Sequence, residues 1–178
     1  ESDDAELKNI IANTIGDARL VDADRKKLQE VVDALTAVQA TFANRDAHGK
    51  LVAQTLGEAY YRLAADLREG VSIDERFWEL IWQSASAYQT VLPWYEGKRG
   101  LAKTLRLQAN QYAKQNRTSE AYCCYEQIES LESQYDVNLL SIGDKNRLKE
   151  YRKKNLRSKE PEETGRLIQQ TGLSTYGH

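Results

Sequence analysis

Apolar positions recur every three to four residues along nearly the whole chain, and no stretch alternates with period two. That spacing puts the apolar side chains on one face of a helix, so the pattern predicts an all-α fold of about eight helices. Leu7, Ile10, Ile11 and Ile15 form a first short stripe. Asp22 or Asp24 is placed to cap a second helix bearing Leu28, Val31, Val32, Leu35, Val38 and Phe42. After a turn at residues 44–46, Leu51, Val52, Leu56, Ala59, Tyr60, Leu63 and Leu67 mark a third helix, with Gly70 as its stop.

Ser72-Ile-Asp-Glu75 has the spacing of a capping box and opens a fourth helix with Phe77, Trp78, Ile81, Trp82, Ala85 and Tyr88, ending before Pro93. Its rings are expected to anchor the core, with Trp94 and Tyr95 at a helix–helix corner. Gly97 and Gly100 bracket the start of a fifth helix, whose stripe is Leu101, Leu105, Ala109 and Tyr112. Thr118 or Ser119 is the expected cap of a sixth, carrying Ala121, Tyr125, Ile128, Leu131 and Tyr135. Ser141-Ile-Gly-Asp144 caps a thinly apolar seventh with Leu148, Tyr151 and Leu156, and Pro161 suits the first turn of an eighth running through Gln170. Short connections predict antiparallel hairpins. The expected organisation is a helical domain over residues 1–140, followed by a basic helix and a short terminal helix over 141–178.

Composition narrows the function. With 178 residues, 40% hydrophobic and 29% charged, the chain has the makeup of a globular domain with a real core. No apolar run approaches the roughly 18 residues of a membrane span, and no signal-peptide pattern is present. A chain opening at Glu1 without Met suggests a processed protein or a fragment. The cysteines are the adjacent Cys123 and Cys124, which exclude a disulfide framework and predict a reducing, cytoplasmic setting. Neighbours on a helix point about 100° apart, so one thiol is expected in the core and the other at its rim.

Catalytic and metal chemistry find little support. No glycine-rich phosphate loop occurs, and His48 and His178 belong to no Glu-x-x-His pair. Asp22, Asp24 and Asp33 have a faint calcium-loop spacing, but Lys27 stands where glycine is needed. The expectation is no cofactor, no metal and no catalytic residue. Asn116-Arg-Thr118 reads as a turn that caps a helix, in preference to a glycosylation site.

One hairpin is more specific. From Ala102, the small residues Ala109 and Ala121 and the rings Tyr112 and Tyr125 fall at the spacing of two closely packed antiparallel helices. This resembles a tetratricopeptide repeat, a unit of about 34 residues, over 102–135. Leu56-Gly57-Glu-Ala-Tyr60 together with Ala85, Tyr88 and Pro93 echoes it over 50–93. Gln108, Ile128 and Ser133 depart from the repeat pattern. The resemblance implies a protein–protein interaction module that receives a partner peptide or helix, with Arg106, Asn110, Gln111 and Lys114 lining the groove.

Residues 145–159 carry a second candidate surface. Lys145, Arg147, Lys149, Arg152, Lys153, Lys154, Arg157 and Lys159 face only Glu150 as a local counter-charge. Lys145, Lys149, Arg152, Lys153, Lys154 and Arg157 are therefore alternative anion-binding residues, for nucleic acid or an anionic membrane. A third reading is a structural subunit of a larger assembly.

Overall fold

The computed structural model describes residues 24–42, 46–67, 75–92 and 94–161 with single positions 5 and 9; of 40–42 and 46–48 it describes the backbone alone. Six helices are present among them: α1 (Arg25–Phe42), α2 (Asp46–Leu67), α3 (Glu75–Gln89), α4 (Tyr95–Lys114), α5 (Thr118–Tyr135) and α6 (Ile142–Lys153). The described residues contain no strand, so the fold is all-α. The remaining two expected helices, the Asp22 and Ser72 caps and the turn residue Asn44 lie outside the described residues. The chain divides into two compact units, Glu1–Val91 and Leu92–His178. The boundary expected near residue 140 falls inside the second unit, between α5 and α6.

In the first unit, α2 packs against α1 on one side and α3 on the other. Asp24 starts α1: its carboxylate accepts from the Lys27 N–H at 2.8 Å. Leu28, Val31, Val32 and Leu35 are buried, and they meet an α2 face that includes Val52, Leu56, Ala59 and Leu63. Leu51, expected in that stripe, is exposed, because a residue next to Val52 stands about 100° round the helix.

Gly57 sets the α2–α3 contact. A Cβ there would lie 2.9 Å from the ring of Tyr88. The ring is held at its hydroxyl, since Tyr88 Oη donates to Glu58 at 2.8 Å, and one turn earlier Ser84 Oγ ties α3 to the Gly57 carbonyl at 2.8 Å. Burial, and then the charge of Glu58, push the Tyr88 phenol well above its usual range, so it stays a donor.

Phe77 and Tyr88 are the rings that anchor this core, and Trp78 is half-buried against Phe77. Trp82 is 41% exposed and is not among the rings that anchor the core; Trp94 and Tyr95, expected at a helix–helix corner, are exposed at 41% and 52%. Trp82 follows Phe77 by five residues, which places it about 140° away from the Phe77–Ile81–Ser84–Tyr88 line. Small, polar Ser84 is fully buried on that line.

In the second unit, α4 and α5 form the tight hairpin that the alanine spacing predicts. Ala109 and Ala121 are fully buried, and Tyr112, Tyr125 and Ile128 fill the space around them. The turn closes as a Schellman motif: Arg117 N–H donates to the Tyr112 carbonyl at 2.8 Å and Asn116 N–H to Ala113 at 3.1 Å. Asn116 supplies the left-handed residue at φ 58°. Asp136 and Asn155 do the same after α5 and α6, at φ 52° and 53°. Asn and Asp visit that region more readily than other β-carbon residues, so three helices stop here without glycine.

Two expected boundaries move. Gly97 and Gly100 lie inside α4, which begins at Tyr95; both are buried, and close packing there outweighs a helix penalty of about 1 kcal/mol each. The residue before α5 is Arg117, and no side chain caps it. Arg117 instead pairs with Glu120 at 3.3 Å and lies 4.6 Å over the Tyr112 ring. The Ser141–Asp144 capping box of α6 is present in both directions.

Candidate functional site

The repeat-like groove residues are largely used for folding. Arg106, half-buried on α4, donates from Nε to both Asp144 oxygens at 3.0 and 2.9 Å. Its Nη2 reaches Asp144 at 2.6 Å and the Leu139 carbonyl at 3.1 Å. The same carboxylate accepts from the Ser141 N–H at 2.9 Å. Burial alone would raise the Asp144 carboxyl, but the bonds from Arg106 and Ser141 outweigh it and hold it below the usual carboxylate range. Glu132 Oε2 accepts from Leu139 and Leu140 N–H at 2.8 and 2.9 Å, pinning the link into α6.

Asn110 accepts a hydrogen bond from the Tyr125 hydroxyl at 3.2 Å, and Gln111 is buried. Only Lys114 of the four is exposed. The repeat resemblance places these residues on an open first-helix face. The face of α4 that bears Arg106 instead receives the start of α6.

The basic segment separates into two groups. Arg152 makes two bonds to Glu129 at 2.6 and 3.1 Å and one to the Tyr122 hydroxyl at 3.2 Å. Lys154 pairs with Glu150 at 3.1 Å. Lys145, Lys149, Lys153 and Arg157 are exposed. Tyr151, the one ring of that segment, is buried beside Tyr122 and Tyr125.

Both cysteines are buried free thiols, so the expectation of one at the rim is corrected. Burial pushes each above the ordinary thiol range, and Cys124, the deeper, well above. They are packing groups. Among the described residues no three His, Cys, Asp or Glu side chains cluster to hold a metal. The side chains of His48 and Asp22 lie outside the described residues.

One concave feature was missed by sequence reasoning. A cleft of about 650 Å³ opens in the first unit where α1, α2 and α3 meet. Leu63, Leu67 and Leu80 line its apolar part. Arg25, Lys26, Gln29, Glu30 and Asp33 of α1 and Arg76 of α3 surround it. Arg25 is held by Asp66 at 2.9 Å, Arg76 donates to Gln29 at 3.3 Å, and Gln29 donates to Asp33 at 3.0 Å. Leu63 and Leu67 read as ordinary core in the sequence, and Leu80 was not singled out.

The cleft thus combines an apolar floor with a rim of both charges. Comparison with known proteins finds no matching family model, no similar curated protein and no similar solved structure.

Proposed function

We propose that the protein is a non-catalytic interaction module, and that the α1–α2–α3 cleft receives a large apolar side chain from a partner peptide or helix. The single observation that carries this reading is a cleft floored by buried Leu63 and Leu80 and half-buried Leu67, within a rim that is charged with both signs. Binding pockets combine such apolar lining with a few polar groups that fix orientation. An apolar anchor would supply the affinity, and the charged ring would set the register of the flanking partner residues. The same logic underlies grooves that accept one face of an amphipathic helix. The occupied repeat-like face of α4 moves the proposed surface from the second unit to the first.

Site-specific photo-crosslinking in cells tests the reading. A benzophenone side chain at exposed Lys26 should give a discrete adduct with a partner, and Leu67→Glu in the same chain should remove it. Adducts that persist in Leu67→Glu, or that form equally from position Lys114, would contradict it.

A further inference from the structure

The outer face of α6 is exposed. Its inner side holds buried Asp144, Leu148 and Tyr151. Opposite them the helical period places Ile142, Asn146, Lys149 and Lys153, with Lys145 on the flank. Ile142 is 81% exposed, the most exposed large apolar residue described. The lysines follow one another at one-turn spacing, about 6 Å apart along the axis. Glu150, the acid nearest this face, is neutralised by Lys154. The helix is anchored from behind by its capping box, by Arg106 on Asp144 and by Arg152 on Glu129. Those contacts use the inner side and leave the outer one intact.

We infer that this face docks on an anionic lipid surface, with Lys145, Lys149 and Lys153 at the headgroups and Ile142 entering the acyl boundary. Charge complementarity identifies the occupant, and Ile142 separates it from the other polyanion. A nucleic-acid backbone offers phosphates to the lysines but nothing to an isolated aliphatic side chain. Single-strand binders stack bases on aromatic rings, and the one ring of this segment, Tyr151, is buried. Interfacial helices pair basic side chains with apolar ones that sink a few ångströms into the bilayer. Each lysine near such a surface is worth about fivefold in affinity.

Co-sedimentation of the intact chain with phosphatidylcholine vesicles holding 30% phosphatidylserine tests this, at about 50 and 200 mM salt. Retention on these vesicles, none on pure phosphatidylcholine, and a several-fold loss at the higher salt are expected. Lys149→Gln with Lys153→Gln should weaken binding by about 25-fold. Ile142→Asp should weaken vesicle binding by a larger factor than it weakens retention on a DNA duplex, where only its added charge acts. These positions are exposed, and circular dichroism should show each variant folded like the parent. No retention at 50 mM salt would overturn the inference. So would vesicle binding indifferent to Ile142→Asp, or a duplex preferred over vesicles by the parent.

Discussion

At Gly57 two effects of opposite sign compete on one atom. Gly→Ala inside a helix gains about 1 kcal/mol in propensity. The added methyl, however, would meet the Tyr88 ring at 2.9 Å, and that ring is buried and tied to Glu58. Overpacking a fixed contact costs about 1–3 kcal/mol, so Gly57→Ala should lower the melting temperature. A raised melting temperature would show that Tyr88 yields. Asp144 gives a pH signature. Its folded carboxyl is held below the unfolded value, so its stabilisation is present above about pH 4 and is lost as pH falls through the folded value. Asp144→Asn should therefore be less stable than the parent at pH 7, with the gap narrowing in acid denaturation below about pH 4. A gap unchanged down to pH 2 would remove Asp144 from the ledger of acid-sensitive groups. The two residues differ in how much of their role the sequence announced. Gly57 was visible as part of a signature but not as Tyr88's neighbour, while the Asp144 capping box was legible because it is local.

For the elements, the α4–α5 hairpin is the clearest case of pattern becoming structure. Ala109 and Ala121 are both fully buried, so Ala109→Leu or Ala121→Leu should cost about 1–3 kcal/mol in urea unfolding. Lys114→Ala, on an exposed position of the same helix, should stay within about 0.5 kcal/mol. Equal shifts for all three would mean that the alanines do not hold the contact. Helix existence and the alanine contact were legible because both depend on a period of 3.6 residues. The start of α4 was not, because glycine's low propensity argued for a boundary where burial of Gly97 and Gly100 overrides it. Arg106 illustrates the same limit. Its partner Asp144 lies 38 residues away, and a charged residue committed to a distant carboxylate has the same local pattern as one facing solvent.

On the scale of the whole molecule, the division into two units separates two kinds of surface. The first unit carries the leucine-floored cleft, and the second carries the lysine face of α6. Neither surface follows from composition: the net charge of −2 conceals the basic segment, and the cleft joins residues from three helices. Of the residues expected to line a groove on α4, Arg106 is bonded to α6 and Asn110 to α5, which shifts the interaction reading to the cleft. Selection of displayed random peptides on the intact chain tests that reading most directly. The account predicts a consensus with one large apolar residue flanked by charges, and loss of its binding in Leu67→Glu while Lys114→Ala binds like the parent. Peptides that lack an apolar anchor, or that bind the Leu67→Glu chain as well as the parent, would contradict it.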